Sequence, residues 1–170
     1  MKKLFLLGSI AMLMLAQPKK APLSPRADTS VAIDGKTISV KYAAPSMRDR
    51  KVFGGIVPYG QVWRAGANSA TALHTDADLM IGNVSVPKGD YTLYVWPAAD
   101  QWQLIINKQT GQWGTEYSEG QDLGRVKMTL TKAAAPLEVF KITLSATGGK
   151  KAKLQLEWEE SVASVPVTVK

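Results

Sequence analysis

FKITLSA, the stretch at residues 140–146, alternates apolar and polar side chains without interruption. Successive side chains of a β-strand point to opposite faces, so this pattern places Phe140 and Ile142 on one face and Lys141 on the other. An α-helix would instead repeat its apolar positions every three or four residues. The stretch therefore predicts a strand that covers a core on one side only.

The same period of two recurs on both sides of this stretch, with short turn motifs between the repeats. The residues that we expect to be buried on the inner faces are Trp102, Leu104, Ile106, Phe140, Ile142, Leu144, Leu154, Leu156 and Trp158. The residues that we expect on the outer faces are Gln103, Ile105, Asn107, Lys141, Thr143, Lys153 and Gln155. A slip of one residue would exchange the two sets. The pair Asp34-Gly35, between two apolar runs, is typical of a two-residue hairpin turn.

Short, regularly spaced strands with Gly and Pro between them predict an all-β domain, an antiparallel β-sandwich or jelly-roll-like fold. Two long segments, residues 43–70 and 108–124, break this spacing, and both are rich in glycine and aromatic residues. Long loops inside a compact domain are often functional. We therefore look for the site in these two segments.

The beginning of the chain has a different character. Residues 1–16 are two lysines followed by an apolar run that ends at Ala16, the layout of a secretory signal peptide. The run is shorter than the roughly 20 apolar residues that span a membrane. Residues 17–26 contain three prolines and predict an extended linker, and residues 27–170 predict a single domain. We expect an exported protein, periplasmic or secreted, without a membrane span in the mature chain.

Composition excludes several classes of site. The chain of 170 residues has 21 Lys+Arg, 14 Asp+Glu, one His and no Cys. The lack of cysteine excludes disulfides, thiolate metal sites and cysteine nucleophiles. Basic residues are scattered, with Arg48-Asp49-Arg50-Lys51 as the densest run, so the charge indicates solubility and not a nucleic-acid partner. No phosphate-binding or dinucleotide motif is present, and we expect no cofactor.

The first long segment brings five ligand-binding side chains into thirteen positions: Tyr59, Trp63, Arg64, Asn68 and Thr71. Aromatic rings, a guanidinium, an amide and a hydroxyl bind sugars, carboxylates or peptide ends. The alternative is structural, with Asn68 bonding its own turn and Arg64 satisfying buried carbonyls. Because a guanidinium stays charged, Arg64 is either held by carbonyls and a carboxylate or faces a cleft that admits an anionic or polyhydroxy ligand.

The second long segment adds aromatic and charged side chains: Trp113, Glu116, Tyr117, Asp122 and Arg125. Asp122 can pair with Arg125, three residues away, or with Arg64 across the fold. If both segments lie at one end of the sandwich, they form one aromatic cleft that contains Arg64 and Asp122. The candidate ligand-binding residues are therefore Tyr59, Trp63, Arg64, Asn68, Trp113, Tyr117, Asp122 and Arg125.

Metal and catalytic sites are not indicated. His74, Asp76 and Asp78 alternate along one strand face. His74 and Asp78 would be roughly 13 Å apart at ~3.3 Å per residue, too far to share one ion, so we expect a solvated outer face. A lone His and the lack of a nucleophile-elbow motif argue against a serine hydrolase. Carboxylates of the second segment leave a hydrolytic pair open, but we assign no catalytic residue and no metal ligand.

The string PYGQVWRAGAN, residues 58–68, lies within a longer stretch, residues 42–71, that closely resembles the signature of the family known as domain of unknown function 2911. Residues 87–93, 102–108 and 112–126 agree with it, and the resemblance extends from residue 24 to about residue 160. It implies an exported, β-rich bacterial protein and no established activity. Ala43-Ala44 before Pro45 departs from the polar or basic residue that members often carry there.

These features favour a binding module for an envelope glycan or a small organic anion. In this hypothesis Trp63 and Trp113 stack on the ligand, and Arg64 and Asn68 orient it. One alternative is a hydrolytic enzyme that uses Asp122 or a neighbouring carboxylate in the same cleft. Another is a purely structural envelope protein that meets a partner through an exposed sheet edge. The sequence leaves the oligomeric state open.

Overall fold

The computed structural model describes residues 22–170, and over this range the regular secondary structure is β-strand apart from one short 3-10 helix, Glu119–Gln121. The predicted signal peptide, residues 1–16, lies outside the described residues, as does the predicted linker up to residue 21. The strands are β1 (Arg26–Ile33), β2 (Lys36–Ala43), β3 (Thr71–Thr75), β4 (Leu79–Ile81), β5 (Val84–Val86), β6 (Gly89–Pro97), β7 (Trp102–Asn107), β8 (Asp122–Lys127), β9 (Thr129–Gly148) and β10 (Lys151–Val169). Within residues 22–170, no helix is long and apolar enough to cross a membrane.

Two antiparallel sheets pack face to face, which confirms the predicted β-sandwich. The large sheet has six strands in the order β1-β2-β3-β6-β7-β8, and the small sheet has four in the order β5-β4-β10-β9. The chain passes from the large to the small sheet at Met128, the single residue between β8 and β9. Met128 is buried, and its N–H donates to the carbonyl of Trp102 at 2.9 Å. One apolar side chain thus closes that corner of the core.

The inner faces carry the residues that the alternation predicts. All nine expected core side chains, from Trp102 to Trp158, are buried, so the predicted register is confirmed. Lys141 and Lys153 are exposed on the outer face of the small sheet, and their polar neighbours are partly buried. Each fully buried side chain of Leu or Ile size contributes roughly 1.5–3 kcal/mol, so a slip of one residue would cost most of the core.

Strand β7 departs from the expected one-sided pattern. Ile105 and Asn107, which the alternation places on the polar outer face, are both buried. The reason is that residues 108–121, the second loop, fold back across the outer face of the large sheet over β6 and β7. There the hydroxyl of Tyr94, also buried, donates to the carbonyl of Glu116 at 3.0 Å. This half of the outer face is therefore a second, smaller core.

The turn between β1 and β2 follows the expected hairpin geometry. Asp34 and Gly35 both have positive φ, 48° and 69°, as a type I′ turn requires, and Ile33 pairs with Lys36. The chain before β1 is also attached to the domain. The N–H of Ala44 donates to the carbonyl of Pro25 at 2.8 Å. The last residues of the predicted linker therefore lie against the start of the first loop, residues 44–70.

Candidate functional site

The two loops meet at one end of the sandwich, as the sequence hypothesis requires. Ser69 and Trp113 form an isolated β-bridge. Beside it, the N–H of Gly114 donates to the carbonyl of Asn68 at 3.0 Å. The N–H of Ala70 donates to the second loop as well, to a carbonyl at 3.2 Å. Backbone hydrogen bonds therefore hold the loops together and set the positions of their side chains.

A cleft of about 530 Å³ opens between the two loops and the segment before β1. We call it the arginine cleft, because three arginines line it: Arg48, Arg50 and Arg64. Its apolar walls include Ile56, Pro58, Trp63 and Trp158. Within residues 22–170, the lining contains no Asp or Glu. The lining side chains therefore carry three positive charges. Outside the lining, Oε1 of Glu138 accepts from the backbone N–H of Arg48 at 2.9 Å.

Backbone carbonyls, and not carboxylates, hold the first two arginines. Nη2 of Arg48 donates to the carbonyl of Leu23 at 2.8 Å. Nε of Arg50 donates to the carbonyl of Met47 at 2.8 Å, and its Nη2 donates to that of Ser46 at 3.0 Å. Carbonyls fix the direction of these guanidinium groups without cancelling their charge. Both groups keep further N–H donors for a ligand, since a guanidinium has five.

Arg64 differs from these two because its guanidinium has no hydrogen-bond partner among the described residues. Its Nε is buried, and the side chain packs against Gly114, where a Cβ would overlap Cδ of Arg64. The predicted tie of Arg64 to Asp122 is not formed within residues 22–170. A buried N–H of a charged group without an acceptor is costly unless something supplies one.

Asp122 instead pairs with Arg125, the other partner that the sequence allows. Oδ2 of Asp122 accepts from Nε of Arg125 at 3.2 Å and from the hydroxyl of Tyr117 at 2.6 Å. Its Oδ1 accepts from Nδ2 of Asn107 at 2.8 Å, and Arg125 also bonds Glu119 at 2.8 Å. Asp122 and Arg125 do not line the arginine cleft. They fasten the second loop to the large sheet.

Tyr117 joins this network to the cleft, since its ring lines the arginine cleft and its hydroxyl faces Asp122. The hydroxyl also accepts from Nη2 of Arg125 at 2.9 Å. Burial, together with the hydrogen bond to the Asp122 carboxylate, raises the pKa of Tyr117 to about 12. The phenol is therefore neutral at physiological pH and acts as a donor that positions Asp122.

Trp63 belongs to an aromatic cluster at the floor of the cleft. Its ring stacks on Trp158 at 5.8 Å between centroids and meets Phe53 and Phe140 edge-on. Nε1 of Trp63 donates to the carbonyl of Gly66 at 3.2 Å. Such aromatic pairs add about 0.5–1.5 kcal/mol each beyond the area they bury. Trp63 is therefore held by three aromatic rings, is partly buried and lines the arginine cleft.

Trp113 lies outside the arginine cleft, which corrects the expectation of a single aromatic cleft with both tryptophans inside. Its side chain is 51% exposed and lines a separate groove, together with Asn68. Trp113 and Asn68 flank the bridge where the loops meet, and Asn68 has a positive φ of 60°. Neither residue lines the arginine cleft, whereas Arg64 does.

The remaining candidates of the first loop divide between rim and scaffold. Tyr59 is 42% exposed. Its ring packs against Gly54 beside the cleft, since a Cβ on Gly54 would lie 2.9 Å from the ring. Thr71 is buried, and its hydroxyl donates to the carbonyl of Ala65 at 2.8 Å. Thr71 therefore has a structural role. The position of Arg64, which lines the cleft, agrees with the ligand-binding interpretation.

A family model matches the chain over most of its length. The model described as a protein of unknown function, DUF2911, matches residues 24–167, which is nearly the whole described chain. The chain belongs to the DUF2911 family. This match confirms the resemblance that the loop motifs indicate. No curated protein and no solved structure matches the chain.

The DUF2911 domain carries its only histidine outside both loops. His74 lies on the outer face of the large sheet, where Nδ1 bonds Oδ1 of Asp90 at 2.8 Å and Nε2 bonds Oδ1 of Asp76 at 3.1 Å. These bonds, the one to Asp90 first, raise the pKa of His74. In residues 22–170 no group of three or more His, Cys, Asp or Glu side chains could hold a metal ion. The exposed cluster is a surface ion pair.

Sequence reasoning missed Arg48 and Arg50 as members of the DUF2911 cleft. An acid, Asp49, interrupts the run that contains them, so the sequence alone indicates a solubility feature there. Arg48 and Asp49 both have positive φ, 51° and 56°, so the chain turns sharply there. At this turn the two arginines line the cleft, and Asp49 between them does not. No residue-type signal marks such a turn, since neither position is glycine.

Proposed function

We propose that the DUF2911 domain is a binding module for a small organic anion, a carboxylate or a phosphate ester, held in the arginine cleft. The observation that carries this proposal is the Arg64 guanidinium, which lines the cleft and whose buried Nε has no acceptor among the described residues. An anionic group bound to the terminal N–H groups of Arg64 matches the planar, forked geometry of a guanidinium and offsets its unpaired charge. Of the two ligand classes that the sequence favours, the cleft thus favours the anion.

The charge of the cleft supports the same ligand class. Arg48 and Arg50 are held by carbonyls, and no carboxylate lines the cleft within residues 22–170. Three like charges facing one cavity repel each other, and a bound anion relieves this repulsion. Hydrogen bonds between a guanidinium and an anion are also about twice as strong as those between neutral groups. The cleft therefore gains most from a ligand with a compact negative group.

The apolar side chains of the cleft indicate what the uncharged part of the ligand is like. Ile56, Pro58 and Trp63 also line the cleft, and Ile56 is exposed. An exposed apolar side chain beside a charged cavity is covered by a ligand with an apolar or planar body. The hydrolytic alternative has no comparable support, because Asp122 is fully engaged by three side chains and does not line the cleft.

Isothermal titration calorimetry with three small probes tests the proposal. Benzoate and phenyl phosphate present an anion on a planar apolar body, and benzamide is the neutral match of benzoate. We expect the two anions to bind and benzamide to bind at least about tenfold more weakly, a difference of about 1.4 kcal/mol. Binding of benzamide as tightly as benzoate, or of none of the probes, would refute the anion site.

Arg64→Gln tests whether benzoate binding depends on the guanidinium of Arg64. Glutamine keeps the Cβ and Cγ methylenes beside Gly114 and removes the positive charge and the forked set of guanidinium N–H donors. We expect it to weaken benzoate binding at least about tenfold. Lys153→Gln is the matched control, because it removes one exposed positive charge that does not line the cleft. It should leave binding within about twofold, since exposed charges at a distance are screened by salt.

A further inference from the structure

We propose that a second site, the Trp113 groove, binds a neutral oligosaccharide. The groove lies on the outer face of the large sheet over β1, β2 and β3, the half that the second loop leaves uncovered. Its volume is about 900 Å³, within the range of roughly 300–1,000 Å³ that ligand pockets occupy. Its floor is formed by small side chains, Ala43, Ala70 and Ala72, which give the groove its depth.

Trp113 provides an aromatic platform along one side of the groove. Its indole is 51% exposed, the largest apolar side chain that the domain leaves open between residues 22 and 170. The backbone on both sides is fixed, by the bridge to Ser69 and by the bond from Gly114 to Asn68. A pyranose ring presents an apolar C–H face that stacks on such a ring. Because Trp113 is held before the ligand arrives, stacking costs little ordering entropy.

Gln112 supplies a polar group that lacks a partner. The hydroxyls of Thr92 and Tyr94 already donate, to the carbonyls of Gln109 and Glu116, so toward Gln112 they can only accept. The amide of Gln112 must therefore turn its Nε2 toward them, at 3.2 and 3.0 Å. Its Oε1 is left buried with no donor among the described residues.

The charges of the groove distinguish its ligand from that of the arginine cleft. Arg26 and Lys41 line the groove together with Asp28, and Asp28 is the cross-strand neighbour of Lys41. Two positive charges and one negative charge line the groove, against three positive charges and no carboxylate in the arginine cleft, so a net anion gains less there. Asn68, Ser69 and Gln112 add neutral donors and acceptors. Mixed, mostly neutral hydrogen-bonding groups around an aromatic platform fit a polyhydroxy ligand.

The sheet itself argues against an extended peptide as the occupant. A peptide that binds a sheet normally adds a strand at an exposed edge and uses main-chain hydrogen bonds. Here the groove lies on a face, where the ladders of β1 with β2, β2 with β3 and β3 with β6 already use the backbone groups. Recognition in the groove must therefore come from side chains, as it does for sugars.

Titration of the full-length mature protein with chitohexaose, cellohexaose and maltohexaose, followed by tryptophan fluorescence and calorimetry, tests this proposal. We expect at least one of these neutral oligosaccharides to bind and to change the indole emission. Trp113→Ala should weaken that binding at least about tenfold, and Trp113→Phe should retain part of it. Tyr59→Ala, which removes another exposed ring beside the arginine cleft, is the matched control and should bind normally.

The same titrations separate this site from the proposed anion site. Arg64→Gln should leave oligosaccharide binding unchanged, and Trp113→Ala should leave benzoate binding unchanged. The melting temperature of Trp113→Ala, which should equal that of the wild type because the ring is exposed, shows that the variant is folded. Failure of the wild type to bind any of the three oligosaccharides, or equal binding by Trp113→Ala, would overturn the proposal whatever benzoate does.

Discussion

Gly114 and Arg64 are in direct contact across the two loops, and the contact leaves no room for a larger residue than glycine. A Cβ on Gly114 would overlap Cδ of Arg64 and stand 2.7 Å from the carbonyl oxygen of Asn68. The N–H of Gly114 donates to that same carbonyl. Close packing, and not an ion pair, therefore fixes the direction of Arg64 and leaves its guanidinium free for a ligand.

Gly114→Ala tests how much the loop contact stabilises the domain. The added Cβ must displace both the Arg64 side chain and a backbone carbonyl, so we expect a loss of about 1–3 kcal/mol in the free energy of unfolding. Urea denaturation measures this loss. Gly120→Ala is the control in the same loop, because nothing lies within 4 Å of its added Cβ. It should change the free energy of unfolding by less than about 0.5 kcal/mol. Equal losses for both variants would show that the contact between Gly114 and Arg64 does not stabilise the domain.

Tyr117 makes the stability of the domain depend on alkaline pH. Its pKa is raised from 10.0 to about 12 in the folded state. A group whose pKa is raised by folding stabilises the protein fully below the unfolded pKa and loses that contribution as pH rises through the folded value. We therefore expect part of the free energy of unfolding to be lost between about pH 10 and pH 12. Urea denaturation at several pH values measures it.

Tyr117→Phe is the control for this pH dependence. The variant loses the hydrogen bonds to Asp122 and Arg125, and we expect it to be less stable at neutral pH by about 1–2 kcal/mol. Its stability should fall less steeply than that of the wild type above pH 10, because the group that titrates has been removed. Parallel pH profiles for the two proteins would be inconsistent with the buried hydrogen bond.

His74 gives a clean proton-NMR titration, because it is the only histidine in the chain. Its pKa lies above the ordinary 6.5, with Asp90 as the larger cause and Asp76 as the smaller. The stabilisation is therefore present below pH 6.5 and is lost as pH rises through the higher folded value. We expect Asp90→Asn to lower the pKa of His74 more than Asp76→Asn does. The reverse order would show that the ring faces the other carboxylate.

The alternation of side chains was sufficient to predict the sandwich and its register, because the period of a strand is read directly from the residues. It could not predict that Ile105 is buried on the outer face. That burial depends on where the second loop lies, and a loop without periodicity carries no signal of the face it covers. The pattern therefore predicted the inner core of the two sheets and missed the smaller core under residues 108–121.

The candidate site shows the same division between chemistry and placement. The residue types in the loops pointed to Arg64 and Trp113 as ligand-binding groups; Arg64 lines the arginine cleft, and Trp113 is exposed beside the other groove. Their separation into two sites depends on the positive φ of Asn68 and on the bridge between Ser69 and Trp113. Arg48 enters the cleft through a tertiary contact with the segment before β1. Such long-range contacts leave no local pattern.

The most direct test of the anion site is the proton resonance of Arg64 Nε–H, followed during a titration with benzoate and assigned by its loss in Arg64→Gln. This N–H is buried and has no acceptor among the described residues. We expect its resonance to move downfield and its exchange with water to slow as benzoate binds. The Nε–H of Arg125, already bonded to Asp122, should not move. Benzoate binding that leaves the Arg64 resonance unchanged would contradict the site.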